Sequence, residues 1–346
     1  MKKTIALTVA LAATGLFADL YMAGDSTMCN YQPRQYPQQG WGQALPELMK
    51  NPDKLHNWAV GGRSAKSFKN EGRWQTLVDA LKPGDYVIVA FGHNDANKAK
   101  PERHSTPEEY KDLMRSFAAD VKAKKATLVF ATSIPHSGGF TENDGVMNVR
   151  GSAAGIGPYV DATRELGKEL NVPVLDLNKY ACDNLPKIGF AASNKLYMRI
   201  APGEYESYPN GKSDGCHIRD TGAFFFAQGA VRLAKAQNLK IMELFKDPEK
   251  VVHTPIPFGG PGANATPMKD DFSKEEIAYA NEEAANKEAK KNEKKPAGQD
   301  DWRSEIMALR REAEARGMSK ADANRWAAAE YRRRQSNSKT RTKRKK

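Results

Sequence analysis

The chain has 346 residues, of which 40% are hydrophobic, and this is enough for one large globular core with additional segments. Its net charge of +12 is uneven, because the last fifteen residues contain nine basic side chains and no acidic one. No segment beyond the N-terminus is apolar enough to span a bilayer, and the three cysteines have no zinc-site spacing. The sequence therefore argues against an integral membrane protein and predicts no bound metal.

The first eighteen residues have the pattern of a secretory signal peptide. Lys2 and Lys3 form a charged start, Thr4–Phe17 is the apolar region, and Ala18 is a plausible cleavage position. The apolar region is short for a transmembrane helix, and Asp19 follows it directly. The alternative is a buried first helix. We expect an exported protein, located in the periplasm or outside the cell.

Strand and helix patterns alternate along the next part of the chain. Five short apolar runs predict buried strands: Leu20–Ala23, Leu55–Val60, Tyr86–Phe91, Thr127–Thr132 and Val172–Leu175. Helical spacing is found in Gln43–Met49, Trp74–Leu81, Pro107–Ala123, Pro158–Leu170 and Gly222–Gln237. This order predicts an α/β fold with a five-stranded parallel sheet between two helical layers. The active site of such a sheet lies at the carboxyl ends of its strands.

Two segments without clear periodicity are predicted to be loops, His136–Ala154 and Ala181–Ser213. Long loops are either functional or tolerated insertions, and the sequence leaves both alternatives open. The compact domain is predicted to cover residues 19–245. Residues 246–300 have the composition of a linker followed by a charged segment, and residues 301–346 form a basic tail that is helical or disordered.

Small and polar residues follow each of the first three predicted strands. They are Ser26 in GDST, Gly61, Gly62 and Arg63 in AVGGRSAKS, and His93, Asn94 and Asp95 in FGHND. Because parallel strands end at one edge, these residues are expected to lie close together. GDST alone fits an ordinary turn as well as a nucleophile, since Gly, Asp and Ser are common turn residues.

A serine nucleophile needs a base and a group that orients the base. His217 in SDGCHIRDTGA is the candidate base, and Asp214 precedes it by three residues. This spacing alone is a weak signal. Donors for an oxyanion are the Ser26 amide, the Gly62 amide and the Asn94 side chain, although Gly62 and Asn94 also suit tight turns. A sequence that contains the candidate nucleophile, base, orienting group and oxyanion donors together is far less expected by chance than one that contains any single one of them.

These four blocks, in this order, resemble the SGNH (GDSL) hydrolase superfamily. The stretches GRSAKSF, DYVIVAFGHND, LGKELNVPVLDLN and YPNGKSDGCH are similar to its rhamnogalacturonan acetylesterase group, carbohydrate esterase family 12. The resemblance covers residues 19–245 and none of the tail. It implies a flavodoxin-like three-layer α/β/α fold and a serine acetylesterase that needs no metal or other cofactor. The implied roles are Ser26 as nucleophile, His217 as base, Asp214 as orienting group, and Ser26, Gly62 and Asn94 as the oxyanion hole.

The resemblance also implies a substrate, an acetylated cell-wall polysaccharide and foremost the acetylated rhamnogalacturonan of pectin. A basic enzyme suits such an acidic polymer. Alternatives with the same mechanism are acetylated xylan, an algal polysaccharide or a lipid. Arg63, Lys66 and His93 are candidate substrate contacts, or else structural residues. The basic tail is a candidate tether to anionic polymer or cell envelope, or a solvated end, and no motif for reading nucleic acid is found.

Two cysteines are placed close to the predicted triad. Cys29 lies three residues after Ser26, and Cys216 lies between Asp214 and His217. If the triad assembles, these two cysteines become neighbours, and we expect a Cys29–Cys216 disulfide with Cys182 left as a thiol. The alternative is a pair of packed thiols.

Overall fold

The computed structural model describes residues 18–253 and, further along, residues 309, 312–313, 315–318 and 330. Nine strands lie in the described part: β1 (Leu20–Gly24), β2 (Leu55–Asn57), β3 (Tyr86–Ala90), β4 (Thr127–Ala131), β5 (Phe140–Asn143), β6 (Val146–Val149), β7 (Val174–Leu175), β8 (Tyr197–Ile200) and β9 (Lys212–Ile218). The central sheet has the order β2-β1-β3-β4-β7, and its neighbouring strands are all parallel. The five predicted strands are confirmed, although β2 and β7 are shorter than expected.

Helices cover both faces of this sheet. They are α1 (Trp41–Ala44), α2 (Ala65–Asn70), α3 (Arg73–Ala80), α4 (Pro107–Ala123), α5 (Gly157–Leu170), α6 (Leu177–Ile188), α7 (Phe190–Asn194) and α8 (Asp220–Ala236). Leu20 and Met22 of β1 pack with α1, α6 and α8 in one core, whereas Tyr21 and Ala23 pack with α2 to α5 in the other. Since successive strand residues point to opposite faces, β1 supplies both cores. The three-layer α/β/α fold is confirmed.

Two segments predicted as loops contain regular structure. Strands β5 and β6 form an antiparallel hairpin within 136–154, and 181–213 contains the end of α6, all of α7, strand β8 and the start of β9. β8 and β9 pair antiparallel and apart from the central sheet. Their pairing joins residues far apart in sequence, so local periodicity gave no sign of it.

Packing against the α/β domain continues past the predicted end at Phe245. The Arg232 guanidinium contacts the Glu249 carboxylate at 2.8 Å, and Lys235 contacts Asp247 at 2.7 Å. The His253 ring stacks on Phe224 with 4.7 Å between ring centroids. The compact domain therefore includes residues 246–253.

Several predicted segments lie outside the described residues. They are residues 1–17 of the signal peptide, the linker and charged segment from residue 254, and most of the tail. The chain divides into two compact units, Met1–Lys274 and Glu275–Lys346. In the second unit, Leu309, Glu312, Ala313 and Ala315 are helical, and Gly317 follows with φ +84°. Within the part of the chain that is described, no helix has the length and apolar character to cross a membrane.

Candidate active site

Ser26 lies in a tight turn directly after β1, at the carboxyl edge of the sheet. The Asp25 carbonyl oxygen accepts hydrogen bonds from the amides of Met28 and Cys29, at 3.1 and 3.0 Å. The Asp25 carboxylate accepts from the amide and the hydroxyl of Thr27, at 2.9 and 2.8 Å. Asp25 and Thr27 are buried and Ser26 is partly exposed. The turn is thus fixed by its neighbours and leaves Ser26 accessible.

A buried histidine supports this turn. His93 Nδ1 lies 3.1 Å from Asp25 Oδ2, and His93 Nε2 lies 3.0 Å from the Ile134 carbonyl oxygen. Both partners are acceptors, and only the imidazolium donates from both nitrogens. Burial lowers the pKa of His93, but the charge and hydrogen bond of Asp25 outweigh it and raise that pKa above its ordinary value. Burial raises the pKa of Asp25, and His93 reverses this to a net lowering. The two residues form a charged pair.

The loops after β2 and β3 meet next to Ser26. A Cβ placed on Gly61 would lie 3.8 Å from Ser26 Cβ. Gly62 has φ +75°, in the left-handed region that favours glycine. Asn94 Nδ2 donates a 3.1 Å hydrogen bond to the Arg63 carbonyl oxygen, which ties the two loops together. Among the described residues, the amides of Ser26 and Gly62 have no protein acceptor, so both can donate to an oxyanion.

The predicted base and its partner lie in a β-bulge of the β8–β9 pair. The pairing passes from Tyr197 opposite Ile218 to Arg199 opposite Ser213, so two steps along β8 match five along β9. Between these two pairs, the four residues Asp214–His217 of β9 lie opposite the single residue Met198 of β8. Bulges next to active sites turn side chains out of the regular ladder, and this one gives both residues a shared orientation.

Asp214 holds His217 in a defined tautomer. His217 Nδ1 lies 2.7 Å from Asp214 Oδ2, and the amides of Cys216 and His217 donate to Asp214 Oδ1 at 2.9 and 3.1 Å. Lys212 Nζ lies 3.5 Å from Asp214 Oδ2. Burial raises the pKa of Asp214, but the hydrogen bond and charge of His217 outweigh it and lower that pKa. A carboxylate there keeps the proton on Nδ1 and leaves Nε2 to accept one.

Tyr31 connects the serine turn to the histidine and was not predicted. Its hydroxyl donates a 2.7 Å hydrogen bond to the Ser26 carbonyl oxygen. Its ring packs edge-on against His217, with 6.5 Å between ring centroids and an interplanar angle of 84°. The described residues contain no direct hydrogen bond between the Ser26 hydroxyl and His217. The structure therefore brings Asp214 and His217 together directly, and Ser26 and His217 through Tyr31.

Arg63 and His93, the candidate substrate contacts, both have partners within the protein, which fits the alternative of a structural role. Arg63 Nε lies 3.0 Å from Glu71 Oε2, its Nη1 donates to the Gly61 carbonyl oxygen at 3.0 Å, and its side chain is 10% exposed. Both ring nitrogens of His93 face protein acceptors. Lys66 likewise donates to two carbonyl groups of a neighbouring loop. Arg63 and His93 position the loops around Ser26.

The expected disulfide is absent, since all three cysteines are thiols in the structure. Cys29 Sγ is directed at the Ser26 carbonyl oxygen, 3.8 Å away, rather than bonded to Cys216. Burial raises the pKa of the Cys216 thiol. The packed thiols that the sequence left as the alternative are what the structure contains.

Three further residues surround the bulge without having been predicted. A Cβ placed on Gly215 would lie 2.9 Å from His136 Cε1, 2.9 Å from Ser137 Oγ and 3.1 Å from Arg199 Nη2. His136 and Ser137 follow β4, so the rule that sites lie after strands could have found them. Arg199 carried no local signal, because its position depends on the β8–β9 pairing.

Residues 22–223 match the GDSL-like Lipase/Acylhydrolase family. The chain belongs to this family and is a carboxylic ester hydrolase.

Among curated proteins, the chain is 34% identical over 209 residues to rhamnogalacturonan acetylesterase RhgT of Bacillus subtilis (strain 168), covering 60% of this chain and 86% of RhgT. It is 31% identical over 225 residues to the probable rhamnogalacturonan acetylesterase YesY of the same organism, covering 65% and 95%. The crystal structure of YxiM from Bacillus subtilis matches with a TM-score of 0.54 and 29% identity, over 64% of this chain and 57% of that chain.

Proposed function

We propose that this protein removes acetyl groups from acetylated rhamnogalacturonan with a Ser26–His217–Asp214 triad. The observation that carries the proposal is the 2.7 Å contact between His217 Nδ1 and Asp214 Oδ2, in a bulge that Tyr31 links to the Ser26 turn. The substrate is supported by similarity to RhgT and YesY, which are named for this activity.

In the first half of the reaction, Ser26 Oγ attacks the carbonyl carbon of the acetyl ester while His217 Nε2 takes the hydroxyl proton. Asp214 stabilises the imidazolium that forms. The carbonyl oxygen becomes an oxyanion and accepts hydrogen bonds from the Ser26 amide, the Gly62 amide and Asn94 Nδ2. When the tetrahedral intermediate collapses, the bond to the sugar oxygen breaks, and that oxygen takes the proton from His217.

In the second half, water replaces the sugar. His217 Nε2 takes a proton from the water as its oxygen attacks the acetyl carbon, and the same three donors hold the second oxyanion. Collapse breaks the bond to Ser26 Oγ, which recovers its proton from His217. Acetate leaves and the enzyme is restored.

Acetate release from acetylated rhamnogalacturonan and from acetylated xylan, compared for the wild type and Ser26→Ala, tests the proposal. We expect release from the first polymer, and a loss of about 10⁴-fold or more in kcat for Ser26→Ala, because the nucleophile is removed. Ser213→Ala is the matched control, since Ser213 is exposed on the same strand as the base and has no role in the mechanism. Acetate release from xylan alone would show that acetylated xylan, and not rhamnogalacturonan, is the substrate. Full activity in Ser26→Ala would show that Ser26 is not the nucleophile.

Export and a tether belong to the same proposal. The charged and apolar start of the chain supports cleavage of a signal peptide near Ala18, and the mass of the protein recovered from cells measures this. The basic residues from Arg332 support salt-sensitive attachment to an anionic polymer or envelope. Equal retention on immobilised pectin of the full chain and of a chain ending at His253 would contradict the tether.

A further inference from the structure

The arginines around the candidate active site differ in their partners. Arg63 is paired with Glu71, and Arg219 Nη1 lies 2.6 Å from Glu204 Oε1. Arg199 has a different environment, because its Nε donates to Ser137 Oγ at 2.9 Å. Within the described residues, its Nη1 and Nη2 have no hydrogen-bond acceptor and no carboxylate lies in salt-bridge range. Its charge is thus not neutralised by the described part of the protein.

The position of Arg199 is fixed next to the catalytic bulge. Its backbone pairs with Ser213, the residue before Asp214. Ser137, which orients the guanidinium through Nε, is buried. Arg199 Nη2 would lie 3.1 Å from a Cβ on Gly215, so the guanidinium reaches the surface of the loop that carries Asp214 and His217. A group bound there would be a neighbour of the ester being cleaved.

Other basic groups near the bulge are less suited to binding an anion. Lys212 Nζ is engaged by Gln38 Oε1 at 2.8 Å and by Asp214 at 3.5 Å. Burial and the charge of His93 lower the pKa of His136, which favours its neutral form. A guanidinium with both terminal nitrogens available matches a carboxylate in a bidentate geometry, and such charge-assisted bonds are the stronger ones.

We infer that Arg199 binds the carboxylate of a uronic acid residue next to the acetylated sugar, so that it selects acidic over neutral acetylated polysaccharides. This inference rests on the proposed function and deepens it. The contact involves the polymer chain and not the reacting acetyl group. Small neutral esters should therefore be cleaved without it.

The test compares wild type, Arg199→Gln and Arg199→Lys on three substrates: acetylated rhamnogalacturonan, acetylated xylo-oligosaccharides without uronic acid, and 4-nitrophenyl acetate. For Arg199→Gln we expect a loss of about 10- to 100-fold in kcat/KM on the acidic polymer, mainly in KM, and changes within about twofold on the neutral substrates. Arg199→Lys should recover part of the lost activity, because lysine keeps the positive charge but cannot donate two parallel hydrogen bonds as a guanidinium does.

Lys168→Gln is the matched control, because it also removes one positive charge. Lys168 lies in the last turn of α5, which leads into the start of β7, whereas the candidate active site lies at the carboxyl ends of the strands. It should leave all three rates unchanged. An equal loss by Arg199→Gln on every substrate would assign Arg199 a structural role, and no loss on the acidic polymer would remove the subsite; either outcome overturns the inference. If the wild-type protein cleaves only the neutral substrates, the proposed function is wrong, and the inference that rests on it is wrong as well.

Discussion

At the scale of single residues, two buried aspartates, one in the turn after β1 and one in the loop after β3, have pKa values shifted in opposite directions. Asp25 is ionised because His93 faces it. Asp95 Oδ1 accepts a hydrogen bond from the amide of Ala65 at 3.1 Å, and its Oδ2 is buried with no hydrogen-bond partner among the described residues. Burial, with a smaller effect from the charge of Asp25, raises the pKa of Asp95 to about 8. Asp95 is therefore mainly the neutral acid at neutral pH.

This difference makes the stability of the fold depend on pH. Folded Asp95 keeps its proton up to about pH 8, whereas in the unfolded chain it loses the proton near pH 3.8, the ordinary pKa of an aspartate. Between these values the folded state binds more protons, so the free energy of unfolding falls as pH rises. We expect Asp95→Asn, which imitates the neutral acid, to gain on the order of a few kcal/mol over wild type between pH 5 and pH 8.

Urea unfolding of both proteins at the two pH values measures this gain. Asp112→Asn is the control, because it makes the same substitution at a side chain that is 77% exposed. A variant that is less stable than wild type by the same amount at both pH values would show that Asp95 is ionised in the fold.

At the scale of elements, sequence patterns worked where the signals are local. Helix α4 has the predicted bounds, Pro107–Ala123, because Thr106 and Glu109 form a capping box around a proline in the first turn. The strands of the sheet read as apolar runs because helices cover both of its faces. The hydrogen bonds that join the loops around Ser26 could not be predicted from the sequence. His93 contacts Asp25, which lies 68 residues earlier in the sequence, so only the folded structure shows the structural role of His93.

The bulge is the element on which the site depends most. Asp-x-x-His was a weak signal, since the register shift that gives Asp214 and His217 their orientation arises from pairing with β8. Gly215 lets this bulge lie against the loop after β4, because a side chain there would approach His136 and Ser137 to 2.9 Å. We expect Gly215→Ala to displace the bulge and to lower kcat on 4-nitrophenyl acetate by about 10- to 100-fold.

The thermal midpoint of Gly215→Ala should stay within a few degrees of wild type, since the bulge is not part of either core. Ser213→Ala again serves as the control on the same strand. Full activity in Gly215→Ala would mean that the loop after β4 adjusts to the added methyl group and does not fix the geometry of the triad.

At the scale of the whole molecule, composition placed the end of the domain too early. Asp247–Lys250 is charged and contains a proline, which is typical of a linker, yet its acidic side chains meet Arg232 and Lys235 on α8. Gln228 Nε2 also donates to the Pro248 carbonyl oxygen at 2.8 Å, and His253 Nδ1 lies 3.1 Å from Glu47. A charged segment belongs to the fold when complementary charges lie opposite it, and its own sequence does not reveal this.

Two shortened chains, one ending at Phe245 and one ending at His253, test where the domain ends. A chain ending at His253 keeps every contact described above, and we expect its thermal midpoint and its rate on 4-nitrophenyl acetate to equal those of the full chain. A chain ending at Phe245 loses the exposed ion pairs of Asp247 and Glu249, which contribute little to stability, and the stacking of His253 on Phe224. It also lacks Pro248 and Val251 and so exposes the part of the core that they cover, where burial of one apolar side chain is worth about 1.5–3 kcal/mol.

The chain ending at Phe245 should therefore unfold several degrees below the chain ending at His253, by about 2–4 °C for each kcal/mol lost. Differential scanning calorimetry of both chains at the same pH and salt concentration measures the difference. High salt should narrow the difference only in part, because screening weakens the exposed ion pairs but leaves the apolar contacts. Equal midpoints would return the boundary to Phe245 and make residues 246–253 the start of the linker.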